Sequence, residues 1–128
     1  MPHRFLSTRF LFLAVLAMAV TGCGGGAPTG DVDKFEVVQS QFDVAVTNKA
    51  GKALFEVRAE IVPVGPASHF TARIARMESG ERRVLAHNLF SDRDGVPFSA
   101  RSHKAKSVAV SAKDIDVKAI QVEMPWKH

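Results

Sequence analysis

Few residues in this chain have the types and spacing that chemistry requires. Cys23 is the only thiol, so it can serve as a nucleophile or an attachment point but cannot close a disulfide within the chain. His69, His87, His103 and His128 never stand at i, i+2 or i, i+4 spacing, so no metal-ligand pattern forms and each reads as a surface histidine. Asp92 and Asp94 alternate ahead of Gly95 as at the start of a calcium loop. No third oxygen ligand follows and no Glu closes the loop, whereas Asp-Gly is a turn pair in its own right. No nucleophile elbow organises Ser, His and Asp into a triad, and no glycine loop leads into a helix that could cradle phosphate. An enzyme is therefore not expected, nor a metal or cofactor.

The basic residues form a more suggestive group. Arg73 and Arg76 precede the turn at Glu78–Glu81, and Arg82 and Arg83 follow it. If the flanking strands pair as a hairpin, four guanidinium groups approach one another and could grip an anionic group. Arg101, His103, Lys104 and Lys106 come later. The competing reading is a solvated face balanced by Glu78 and Glu81, and it is the favoured one. Arg73, Arg76, Arg82 and Arg83 stand as candidate anion-binding residues.

The elements that must position these residues are strands. "ALFEVRAEIV" sets Phe55, Val57, Ala59 and Ile61 on one side, with Glu56, Arg58 and Glu60 opposite. That alternation fits a strand buried on one face. "FDVAVTN" does the same with Phe42, Val44 and Val46, "HFTARIA" with Phe70, Ala72 and Ile74, "SVAVSA" with Val108, Val110 and Ala112, and "KAIQVEM" with Ile120, Val122 and Met124. Shorter runs stand at "RRVLAH" and "GVPFSA", and Pro97 would confine the second to a sheet edge. Turn signals separate them at Asn48–Gly51, Val64–Pro66, Ser79-Gly80, Asp94-Gly95 and Lys113–Asp116. The pattern predicts one all-β antiparallel sandwich of about seven strands over residues 34–128, of the immunoglobulin or fibronectin type III architecture. Trp126, near the end of the chain, is expected to close the bottom of the core, the alternative being a surface anchor for a partner or the bilayer interface.

The N-terminus explains Cys23. Arg4 and Arg9 stand in a start without acidic residues, and Phe10–Val20 is wholly apolar. These are the first two parts of a secretory signal peptide, and the run is short of the roughly 20 residues that span a bilayer. The run ends Val20-Thr21-Gly22-Cys23, which resembles the lipobox of bacterial lipoprotein precursors. The resemblance implies a signal peptide over residues 1–22, cleavage between Gly22 and Cys23, and lipidation of Cys23. Residues 23–33, beginning "CGGGAPTGD", then form a flexible Gly-rich tether. By the same analogy Gly24, unlike an Asp there, implies the outer membrane facing the periplasm.

Removal of residues 1–22 leaves 15 basic against 13 acidic residues, so the high pI of 9.6 overstates the mature charge. Bulk charge makes no case for nucleic acid. The expectation is a membrane-anchored envelope lipoprotein acting as a non-catalytic binding or structural accessory module with a protein partner in the envelope. The alternative is a periplasmic carrier of a small ligand or ion, its site formed by the loops at Val62–Ala67 and Ser91–Pro97.

Overall fold

A computed structural model of the chain describes residues 26–127. The expected signal peptide over 1–22, Gly22, Cys23, Gly24 and His128 lie outside the described residues.

Eight strands form in order: β1 (Thr29–Gly30), β2 (Phe35–Gln39), β3 (Asp43–Asn48), β4 (Leu54–Pro63), β5 (Phe70–Met77), β6 (Arg82–Ala86), β7 (Ala105–Lys113) and β8 (Ala119–Pro125). A five-stranded sheet runs β1-β8-β7-β4-β5 and a three-stranded sheet runs β2-β3-β6, every pairing antiparallel. This is the expected all-β antiparallel sandwich, but apart from the two-residue β1 its seven strands include β2 over Phe35–Gln39 and not the expected "GVPFSA". In immunoglobulin lettering, β2-β3-β6 follows the order A-B-E and β8-β7-β4-β5 the order G-F-C-C′.

Alternation builds the core. Val44, Val46, Val57, Ala59, Ile61, Phe70, Ala72, Ile74, Val108, Val110, Ile120 and Val122 are all buried, each Val, Ile or Phe among them worth about 1.5–3 kcal/mol. Phe90, Leu54 and Met77 complete the interior. Trp126 packs against this core, on Phe98, as expected of it.

Three departures from the periodic reading have local causes. Phe42 lies before β3 in a turn held by the Ser40 hydroxyl, and is 71% exposed. Phe55 faces outward because β4 carries a bulge: its register against β7 shifts between Phe55 and Arg58, and Glu56 sits at φ 51. One extra residue inverts the alternation, so Leu54 takes the buried place instead. "GVPFSA" forms no strand; Pro97 makes an isolated bridge to Ser91, while Phe98 is buried.

Asn48 locks the sheets together. Its amide donates to the carbonyls of Lys52 (2.8 Å), Met77 and Glu78 (3.1 Å each), and its side-chain oxygen accepts from Ala50 N–H (2.9 Å). A residue of the small sheet thus satisfies carbonyls at the end of β5 in the large one.

The strand directions define two ends. One holds the β2–β3, β4–β5 and β6–β7 connections and the C-terminus. The opposite, far end holds the β3–β4, β5–β6 and β7–β8 connections. Of the tether expected over 23–33, only the part before Thr29 precedes the first strand. Thr29 and Gly30 pair with Glu123 and Val122, and Asp31 exchanges two hydrogen bonds with the Gln121 backbone, at 2.7 and 3.0 Å.

Candidate binding surface

The far end carries the most unusual backbone among the described residues. In the β7–β8 hairpin, Asp114 N–H donates to Lys118 C=O (3.1 Å) and Val117 N–H donates to Asp114 C=O (2.9 Å). The Asp114 carboxylate accepts from the N–H groups of Asp116 and Lys118, each at 2.9 Å, and from Lys52 Nζ at 3.0 Å. The Lys118 N–H, the Lys52 ammonium and the Asp116 N–H together hold its pKa below the ordinary carboxyl value. This frame makes a three-residue loop, Ile115–Val117, whose last residue must be left-handed and is ordinarily glycine. Here it is Val117, at φ 60. A β-branched side chain is the least suited to that conformation, and Val117 is 70% exposed, so no core contact offsets the strain. Ile115 beside it is 75% exposed.

The bulge adds to this tip. Glu56, the other non-glycine residue at positive φ among the described residues, lines a shallow hollow of about 520 Å³ with Phe55, Ala75, Lys113, Ile115 and Val117. Arg76 lies over the Phe55 ring, 5.1 Å from its centre, a cation–π contact.

Adjoining it, the outer face of the five-stranded sheet has an open depression of about 750 Å³. Cross-strand register aligns Arg73, Arg58, Ser111 and Gln121 in one row, with Lys113 and Ala119 paired in the next. Long side chains form the rim, while Ala75, Ser111 and Ala119 leave the floor low. Arg58 and Arg73 stand directly opposite each other, an unfavourable like-charge pair. Arg58 is relieved by Glu60 at 3.5 Å, and Glu60 also contacts His69 at 3.0 Å. Lys113 pairs with Glu56 at 3.0 Å. Among the described residues Arg73 makes no ion pair.

The hairpin that would unite Arg73, Arg76, Arg82 and Arg83 does not form. β5 pairs with β4, and β6 pairs with β3 in the other sheet. The reason lies in the turn: Gly80 N–H donates to Asn48 C=O and Asn48 N–H donates to Glu81 C=O, each at 2.9 Å, carrying the chain across to β3. Arg73 stays on the depression and Arg76 contacts Glu78 at 2.5 Å. Arg83 is held by Glu81, whose carboxyl is lowered chiefly by that hydrogen bond. Arg82 stands in register with Thr47 and Glu36 on the small sheet.

The remaining candidates have structural partners. The Asp92 carboxylate accepts from the N–H groups of Asp94 and Val96, each at 2.9 Å, and so shapes its own turn. His103 Nδ1 accepts from Ser99 N–H at 3.1 Å. His87 meets Phe98 edge-on and lies tilted against Trp126, and its Nε2 has no hydrogen-bond partner among the described residues. Burial lowers its pKa, partly opposed by Asp43. No group of three or more His, Cys, Asp or Glu converges as metal ligands among the described residues.

In comparisons with protein-family models, curated proteins and solved structures, the chain finds no match.

The sequence reading missed the tip. Its signal was the lack of glycine in "KDIDVK", where Asp114 opens a three-residue loop and a Val occupies the left-handed place.

Proposed function

We propose that the mature chain is a non-catalytic binding or structural accessory module of the cell envelope. It is exported, lipidated on Cys23 after cleavage at Gly22–Cys23, and held at the periplasmic face of the outer membrane. It recognises a protein partner through the far-end tip and the adjoining sheet face. The observation that carries this reading is Val117. An exposed valine held left-handed weakens the fold where glycine would relieve it, and such strain concentrates at functional sites. Ile115, Phe55 and Val117 give the apolar centre, and Arg73, Arg76 and Lys113 the polar rim, that a protein interface needs. The carrier alternative calls for an apolar pocket between the sheets, where the side chains of Phe90, Leu54, Ile61 and Met77 are fully buried against one core cluster.

The test is a photo-crosslinking amino acid at position 115 of the full chain in living cells, with one at Val84, on the small sheet, as control. A discrete protein adduct from 115 and none from 84 supports the reading. No adduct from 115, or equal adducts from both, contradicts it. Loss of acyl labelling and of processing in Cys23→Ser checks the anchor separately.

A further inference from the structure

We propose that the end of the sandwich opposite the tip lies flat on an anionic lipid surface, with Phe42, Val64 and Trp126 at the interface and Lys104, Lys106 and Lys127 over the headgroups. This rests on the membrane-anchored reading above, but not on the chemistry of the anchor.

The path of the chain carries the inference. Because β1 runs antiparallel to β8, with Thr29 opposite Glu123 and Gly30 opposite Val122, the residues before Thr29 run toward the Pro125 end. Gly26 and Ala27 accordingly lie beside Lys106 and Pro125. Cys23 is three residues from Gly26, and a fully extended chain covers ~3.3–3.6 Å per residue. An anchor there is within about 10 Å of this rim. The attachment does not slide: a Cβ at Gly30 would collide with the Gln121 carbonyl, so the close approach of β1 to β8 is reserved for glycine.

The rim has the composition of an interfacial surface. Phe42 and Val64 are 71% and 59% exposed. Trp126 packs on Phe98 and His87, each ring centre 5.6 Å away, and remains only partly buried. Its backbone is fixed from both sides: Gln39 Nε2 donates to Pro125 C=O at 2.9 Å, and Lys127 N–H donates to Gln39 Oε1 at 2.8 Å. A rigid, half-covered indole suits the headgroup layer.

Charge distinguishes the two ends. The connections here (40–42, 64–69, 87–104 and 126–127) hold four Lys and Arg against two Asp, and the adjoining strand starts add Lys106 and Asp43. Those at the far end (31–34, 49–53, 78–81 and 114–118) hold six Asp and Glu against four Lys. Attraction to an anionic leaflet fades within a Debye length of ~8 Å, comparable to the tether's reach. The anchor therefore keeps the basic rim within the field and the acidic end outside it.

Trp126 is the sole tryptophan and reports on this directly. The full chain, produced with its leader and recovered from membranes, is reconstituted in phosphatidylethanolamine–phosphatidylglycerol vesicles with brominated acyl chains. The expected result is loss of most Trp126 emission. A probe at the far end, Ile115→Trp with Trp126→Phe, keeps its emission. Charge reversal of Lys104, Lys106 and Lys127 to Glu restores much of the Trp126 signal in the native-tryptophan chain. Trp126 emission unaffected by bromine, or an Ile115 probe quenched as strongly, overturns the proposal. Acyl labelling of Cys23 is read on the same preparation. Quenching without labelling supports this orientation and sinks lipidation, whereas labelling without quenching does the reverse.

Discussion

The two ends of this sandwich both expose apolar side chains, and they do so on opposite kinds of scaffold. At the tether end, Trp126 rests on His87 and Phe98, and His103 on Phe70. The backbone is ordinary, and Trp126 is the outer member of a packed cluster, while Phe42 and Val64 stand exposed on connections at the same end. At the far end, Asp114 and Asn48 tie the turns with hydrogen bonds, and Ile115 and Val117 project from that frame. There the strain is local and the support is polar. A cluster that continues the core can be retained for stability alone. A strained apolar tip on a polar frame adds nothing to the fold, which is the ground for our proposal of a partner at the far end; the proposal of a membrane at the other end rests on the path of the chain.

The largest expected effect tests the sheet that joins the two ends. Val57 is buried just past the bulge and Glu56 is exposed. Val57→Asp buries an unpaired charge and should cost more than ~4 kcal/mol, unfolding the domain. Glu56→Lys turns the exposed pair with Lys113 into a solvated like-charge contact and should shift stability by less than ~1 kcal/mol. Equal melting temperatures for the two would break the register on which both ends depend.

Next comes the polar frame. Asn48→Ala strands the carbonyls of Met77, Glu78 and Lys52 and should destabilise by about 3 kcal/mol in urea melts. A change below ~1 kcal/mol would mean that water replaces the amide and that the far end is not rigidly held.

Acid should separate the ends. His87 has a folded pKa below its ordinary 6.5, so the unfolded chain takes up its proton first. The neutral ring's contribution is intact above about 6.5 and declines as pH falls from there toward the lower folded pKa. Asp114 is also lowered, from 3.8; its contribution is present above that value and is lost only as pH falls through the lower folded pKa. The tether-end cluster should loosen first, visible as a change in Trp126 emission before the global transition. His87→Leu should abolish that early step, and an unchanged emission profile would refute it.

Much of this was legible in the sequence. Period-two runs placed Ala59, Ile61, Val108, Val110 and Val122 in the core, and turn residues marked most of the strand ends, though "GVPFSA" forms no strand and Phe35–Gln39 does. Phe55 was misplaced because a bulge is a tertiary decision: one residue at positive φ, settled by pairing with β7, reverses a pattern that looks continuous. The arginine hairpin failed for a related reason. A tight turn signals a reversal but not which strand the chain then pairs with, and here Asn48 directs it to the other sheet. Arg58 and Lys113 joined Arg73 only through cross-strand register, which no spacing along the chain reveals.

The smallest energy change bears most directly on the central claim. Val117→Gly removes the left-handed strain and should stabilise the domain by about 1 kcal/mol, raising Tm by roughly 4–8 °C. In a chain carrying the crosslinker at position 115, the decisive measurement is adduct yield with and without Val117→Gly. The expected result is a more stable protein that loses most of its adduct. An adduct undiminished by the substitution would contradict it, since the strained valine would then serve neither the fold nor the partner.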